Sequence, residues 1–149
     1  MSTTFQKPTS LCGSADETHT HFYEALQTSD IERLMACWAD EDEVICVHPG
    51  SPRLVGLGAI RAAFEAVFSR GGVRVQARAL QKIESMTSAV HSVREHIDIL
   101  TDAGSVAAYA IATNVYFKTA QGWRMVAHHV SVGAAAAADD MSDTPHVLH

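Results

Sequence analysis

VRVQARALQKIES (residues 73–85), AVHSVREHIDIL (89–100), SVAAYAIATNVYFKT (105–119) and GWRMVAHHVSV (122–132) decide the fold. Each segment is rich in β-branched and aromatic residues and alternates on a period of two, which is the signature of a strand. The breaks between them, Thr87-Ser88, Asp102-Ala103-Gly104 and Ala120-Gln121-Gly122, are short enough for hairpins. Four long strands therefore run as an antiparallel meander.

The chain before Gly71-Gly72 has a different period. Phe22, Ala25 and Leu26 recur at helical spacing, and after Ser29-Asp30 the set Ile31, Leu34, Met35 and Trp38 does so again. Asp30 is placed to N-cap this second helix. The acidic run ADEDE (39–43) ends it, and Val44-Ile45-Cys46-Val47 reads as a short buried strand. His48-Pro49-Gly50-Ser51-Pro52 is a loop, because two prolines and a glycine suit neither ladder nor helix. GAIRAAFEAVFS (58–69) is a third amphipathic helix, stopped by the glycine pair. Helices first and a meander afterwards define an α+β fold, with three N-terminal helices packed on a curved antiparallel β-sheet.

Composition bounds the rest. The 149 residues suffice for one domain, and 47% hydrophobic with 19% charged residues is a globular balance. Residues 1–15 read as an N-terminal arm, 16–133 as the domain and 134–149 as a flexible tail. A net charge of -6 argues against a nucleic-acid partner, since neutralising phosphates needs a basic surface. No stretch reaches the roughly 18–20 apolar residues of a membrane span, and no apolar segment of signal-peptide length opens the chain. Three cysteines, Cys12, Cys37 and Cys46, lack CxxC spacing, so neither a disulfide framework nor a cysteine-built zinc site is expected. Cys37 and Cys46 read as small core residues, and a cytoplasmic setting is the expectation.

Nine histidines exceed what a core needs. Their spacing does not announce a metal. His128 and His129 point to opposite faces of a strand, His19 and His21 are poorly placed on a helix, and no HExxH or HxxxH pattern occurs on one face. No metal ligand is assigned. In the strands, both alternating sets carry apolar residues, so a second burial surface, most simply a homodimer, is expected. Small residues at Ala108, Ala110 and Ala112 leave room above the sheet for a helix or a ligand.

FYEALQTSDIERLMACWADEDEVICVHPG (22–50), the helix after LVG, and TNVYFKTAQGWRMVAHHVS (113–131) together resemble the nuclear-transport-factor-2-like superfamily, in its SnoaL-like branch. The ending Trp123, Val126, His129 and Ser131 is similar to the association domain of calcium/calmodulin-dependent protein kinase type II. The resemblance covers about residues 16–133 and implies a cystatin-like α+β cone. Such a cone has a pocket between the helices and the concave sheet face, and a dimer forms through the convex face.

Steroid Δ5-3-ketoisomerases belong to the same superfamily. Matching them places their base motif on His48-Pro49, their protonated carboxyl on Asn114, and their oxyanion tyrosine on Phe22, or on Tyr23 if the helix is read one residue off. Two supporting tyrosines fall on Trp38 and Phe64. The same matching puts Ser92, Arg94, Asn114, Val126, His128 and Val130 on the concave face, and His91, Glu95, Tyr109, Thr113, His129 and Ser131 on the dimer face.

The resemblance thus implies His48, Asn114 and His128 as catalytic candidates. Phe22, Trp38, Phe64, Ser92, Arg94, Val126 and Val130 are the candidates for ligand contact. A histidine serves as a base near neutral pH, Asn114 donates to an oxyanion, and an inward Arg94 suits a carboxylate or enolate. The expectation is a cofactor-free isomerase- or cyclase-like enzyme moving a proton on a small carbonyl compound of unknown identity. The alternative is a non-catalytic dimeric ligand-binding or assembly domain. The two part on geometry: His48, Asn114 and His128 around one void favour the enzyme, and a void filled by Phe22, Trp38 and Phe64 opposes it.

Overall fold

The computed structural model describes residues 13–133, the side chains of 99–101 excepted. The expected arm and tail fall mostly on residues outside that range. Helix α1 spans Ala15–Thr28, α2 Ile31–Ala36 and α3 Leu57–Ser69. Strands are β1 (Ile45–Val47), β2 (Leu54–Val55), β3 (Arg74–Glu84), β4 (Ser88–Thr101), β5 (Gly104–Thr119) and β6 (Gly122–Val132). They form one six-stranded sheet in the order β2-β1-β6-β5-β4-β3. All neighbours are antiparallel except β1 and β6, where Cys46 pairs with His128 in parallel. The α+β architecture read from the sequence holds, with β1 and β2 interposed between α2 and α3.

Local chemistry sets the helix ends. Ser14 Oγ accepts from the Glu17 N–H at 3.1 Å, which satisfies one orphan donor of α1, and the Glu17 carboxylate accepts from the Gly13 N–H at 2.8 Å, which ties down the residue before the cap. Asp30 caps α2 by accepting from the Arg33 N–H at 3.1 Å. Helix α2 stops at Ala36, so Trp38 does not continue the helical face. It lies instead in an isolated bridge to Met125. Gly104 and Gly122, both at positive φ, close the β4–β5 and β5–β6 hairpins, where a side chain would be strained.

The helices cover one sheet face. Phe22, Leu26, Leu34, Ile60 and Phe64 pack against Val75, Val93, Ala112, Tyr116, Met125 and Val130. Ala110 and Ala112 are buried in this core, so the small residues there serve close approach of the helical layer rather than a ligand.

Two face assignments need correction. On β4 the buried set is Ala89, His91, Val93 and Glu95, whereas Ser92, Arg94 and His96 lie on the opposite, convex face. The apolar Val93 and Ile97 belong to that buried set, and burying them carries His91 and Glu95 inward with them. On β6, register slips between Val115 and Tyr116: Val115 pairs with Ala127 but Tyr116 pairs with Met125. Val126 is therefore the extra residue of a bulge, and alternation restarts on either side of it. Met125 is buried with His128 and Val130, and Val126 does not share their side.

Candidate functional site

A cavity of about 410 Å³ opens between α3, the His48–Pro52 loop and the concave sheet face. Its wall is mostly apolar: Leu26 from α1, Ala63, Phe64 and Val67 from α3, Val73 just before β3, then Val75, Ile97 and Val130 from the sheet. Five polar side chains line it as well, namely His48, Ser51, Glu95, His128 and, at the end of α3, Arg70. An apolar volume of this size with a few convergent polar groups is the usual form of a small-molecule site.

Glu95 and His128 are the two ends of one buried hydrogen-bond chain. The Tyr23 hydroxyl lies 2.7 Å from Glu95 Oε2, Asn114 Nδ2 donates to the Tyr23 oxygen at 2.9 Å, and His128 Nδ1 lies 2.6 Å from Asn114 Oδ1. The chain has a direction. Asn114 Oδ1 can only accept, so His128 Nδ1 carries the proton and Nε2 keeps its lone pair. Tyr23 receives the Asn114 N–H, which leaves its own single proton for the Glu95 carboxyl. The four residues come from α1, β4, β5 and β6, and the strand register aligns them, since Asn114 sits directly opposite His128.

Burial tunes these groups. It drives the His128 pKa down to about 3, with the neighbouring His48 and His129 adding to the effect, so the ring is neutral at pH 7. Burial also lowers His48 from its ordinary value. Burial raises Glu95, partly opposed by the hydrogen bond from Tyr23. Tyr23 lies well above the usual phenol range, through burial first and the adjacent Glu95 second. His48 Nε2 rests 3.6 Å from Cys46 Sγ, whose thiol is pushed up to about 12 by burial and so is no nucleophile. Phe22 backs the site, with its ring centroid 5.0 Å from His128 and 6.1 Å from Phe64.

A family model described as a SnoaL-like domain matches residues 16–135. The chain belongs to the SnoaL-like domain family. Among solved structures, this SnoaL-like domain is similar to a Thiobacillus denitrificans protein named as a calcium/calmodulin-dependent protein kinase type II association domain. Identity there is 31%, the TM-score is 0.76, and the match covers 86% of this chain and 100% of that one. It is also similar to a Streptomyces avermitilis member of the NTF2-like family named as a dehydratase, at 27% identity and TM-score 0.71, covering 79% and 93%. A ketosteroid isomerase-like protein of Erwinia carotovora atroseptica shares the fold at 18% identity and TM-score 0.70, covering 87% and 99%. No curated protein matches the chain.

Within the SnoaL-like domain, the residues singled out from sequence divide by position. His48, Phe64, His128 and Val130 line the cavity together. Asn114 lies one hydrogen bond behind His128, fully buried, with its amide turned to Tyr23 rather than to the void. Phe22 packs behind the wall, and Trp38 is buried beside Met125. Ser92 and Arg94 lie on the convex face, where Arg94 borders a groove with Arg78, His96 and Tyr109, and Val126 borders another with Ile45 and Phe117. Phe22, Trp38 and Phe64 leave the void open.

Glu95 is the residue that sequence reasoning missed. The signal was present, because Val93 and Ile97 flank it at the period of a buried face. Tyr23, not Phe22, holds the polar position on α1.

Proposed function

We propose that this SnoaL-like domain is an enzyme of the isomerase or cyclase type that moves a proton on a small, largely apolar carbonyl compound, using side chains alone. The observation that carries the reading is the Glu95–Tyr23–Asn114–His128 chain, both ends of which open on an apolar cavity that His48 also lines.

In this reading His48 is the base. With Nε2 against the Cys46 sulfur, Nδ1 takes the proton from the carbon beside the carbonyl. Glu95, whose raised pKa favours the protonated carboxyl, donates from its second oxygen to the carbonyl oxygen as negative charge develops there. Tyr23 steadies the other carboxyl oxygen, and the His48 proton returns to a different carbon to complete the shift. A positioned base contributes roughly 10²–10⁴-fold and an oxyanion donor about 3–4 kcal/mol. His128, held neutral, offers Nε2 as an acceptor that orients a substrate hydroxyl or enol.

The test is carbon–hydrogen exchange in D2O, followed by NMR across a panel of cyclic ketones, for wild type, His48→Gln and Glu95→Gln. Exchange above the buffer rate that falls at least about 100-fold in both variants supports the reading. Ligands that raise the melting temperature without any exchange would make the domain a binding module.

A second reading has its own support. The convex face exposes Ile111 (43%) and Phe117 (49%), and the 31%-identical relative is named as an association domain. An assembly role through that face, starting from a homodimer, predicts that Ile111→Lys with Phe117→Glu lowers the mass measured by light scattering. A homodimer is compatible with the enzyme reading as well, so only the exchange assay separates the two.

A further inference from the structure

The first turns of α1 lie over β3 and β4, where they meet residues that the proposed chemistry does not use. Asp16 and His19 come from α1, Lys82 and Glu84 from β3, and His91 from β4, where it pairs with Lys82. One ligand atom each from Asp16, Glu84 and His91 lies within 4.8 Å of the others. Two exposed carboxylates alone would be ordinary surface. His91 is not: its side chain is fully buried, neither ring nitrogen has a hydrogen-bond partner among the described residues, and Nε2 lies 3.8 Å from Asp16 Oδ1. Beside it is His19, with ring centroids 5.7 Å apart and its own Nδ1 buried without a partner among the described residues. A fold that buries an imidazole normally satisfies at least one nitrogen, so these orphaned atoms call for a missing partner.

We propose that Asp16, Glu84 and His91 form a binding site for a divalent transition-metal cation, zinc by preference, with His19 placed to complete it. Imidazole together with carboxylate suits zinc and its neighbours better than calcium or magnesium, which favour oxygen alone. Bonds of about 2.0–2.2 Å require the ligand atoms to draw closer than they now stand. Asp16 and Glu84 are exposed and can move, whereas His91 supplies the fixed point.

Lys82 accounts for the present arrangement. Its Nζ lies 2.8 Å from Asp16 Oδ1 and acts as the counter-cation of the cluster. The ammonium has no lone pair and can only donate, so it serves the carboxylate. A metal ion brings twice the charge and also uses the imidazole lone pair. Lys82 is 43% exposed on the edge strand β3 and is free to swing outward when displaced. Sequence spacing hid this site because its ligands come from three separate elements.

The experiment is calorimetric titration of the chelator-treated 149-residue chain with zinc, in a His146→Gln/His149→Gln background that removes tail histidines. Magnesium serves as control, and cobalt absorption reports the ligand field. The expected result is one equivalent of zinc, weakened about tenfold or more by Glu84→Gln and tightened by Lys82→Ala. Both residues are exposed, so the comparison stands even if His91→Gln fails to fold. Absence of saturable one-to-one binding would overturn the site, as would binding indifferent to Glu84→Gln. The proposed proton transfer shares none of these residues, so neither result bears on it.

Discussion

Tyr23→Phe removes one oxygen and cuts Glu95 off from Asn114 and His128. The phenol ring stays, so packing against Phe22 and His19 is kept, and the change reports the polar contacts alone. Two hydrogen bonds go: the fully buried Asn114 loses the acceptor that Tyr23 gave one of its N–H groups, and Glu95 loses its donor at the edge of the cavity. Each buried polar group left unsatisfied costs about 1–3 kcal/mol, and water in the cavity beside Glu95 offsets part of its share, so the expected loss is about 2–4 kcal/mol at pH 8. For a domain of this size, that lowers the melting temperature by roughly 6–15 °C. The effect depends on pH, with a sign set by Glu95. Its folded pKa is raised, so the stability it contributes is fully present below its unfolded value and is lost as pH rises through the folded value. Tyr23 opposes that rise by donating to the carboxylate. Removing the hydroxyl pushes the folded pKa higher still, and the variant is penalised more at pH 8 than at pH 5. Urea unfolding followed by tryptophan fluorescence at both pH values measures this, with Trp38 buried and Trp123 half-buried as reporters. A loss under about 1 kcal/mol at pH 8, or a larger loss at pH 5, would refute the directional chain.

Three further outcomes are expected. Gly72→Ala drives a Cβ into Ser29 Oγ at φ +77°, and should cost about 1–2 kcal/mol in urea unfolding, less in a Ser29→Gly background that removes the clash. In a Cys12→Ser variant, neither Cys37 nor Cys46 should react with a thiol reagent in the native state at pH 8. Both are buried, and a Cys46 pKa of about 12 leaves a thiolate fraction near 10⁻⁴; both should react in denaturant. Ala63→Trp, projecting from α3 into the cavity, should abolish ligand-induced thermal shifts while changing stability by less than about 1.5 kcal/mol, because the indole enters open space.

The fold was legible because its determinants are local. Asp30 caps α2 and the glycine pair follows α3, while period-two patterns mark β3 to β6. Face assignment was harder, and the two errors differ in kind. On β4, Val93 and Ile97 already marked the buried side, and matching to ketosteroid isomerases overrode that simple criterion in favour of Ser92 and Arg94. On β6, strict alternation puts Met125 and His129 together, and only pairing with β5 reveals that Val126 is an extra residue. A bulge is a property of two strands, so one strand's pattern cannot locate it, although a large apolar Met125 on the side assigned to His129 was a trace of it.

The candidate site was legible only in part for a related reason. His48 and His128 were visible as polar residues at unusual places, a proline loop and a mid-strand position. Their connection was not, because Tyr23, Glu95, Asn114 and His128 are separated by 72, 91 and 14 positions along the bonds that join them. Each is unremarkable alone, and each would be costly buried alone. Together they are nearly self-sufficient: every link but the two ends is satisfied within the chain of hydrogen bonds. The remaining capacity, the second Glu95 oxygen and His128 Nε2, belongs to the two residues that also line the cavity. A network kept only for folding specificity could close on itself. One whose unspent donor and acceptor belong to residues facing an apolar void is arranged for a ligand that carries the complementary polar atoms.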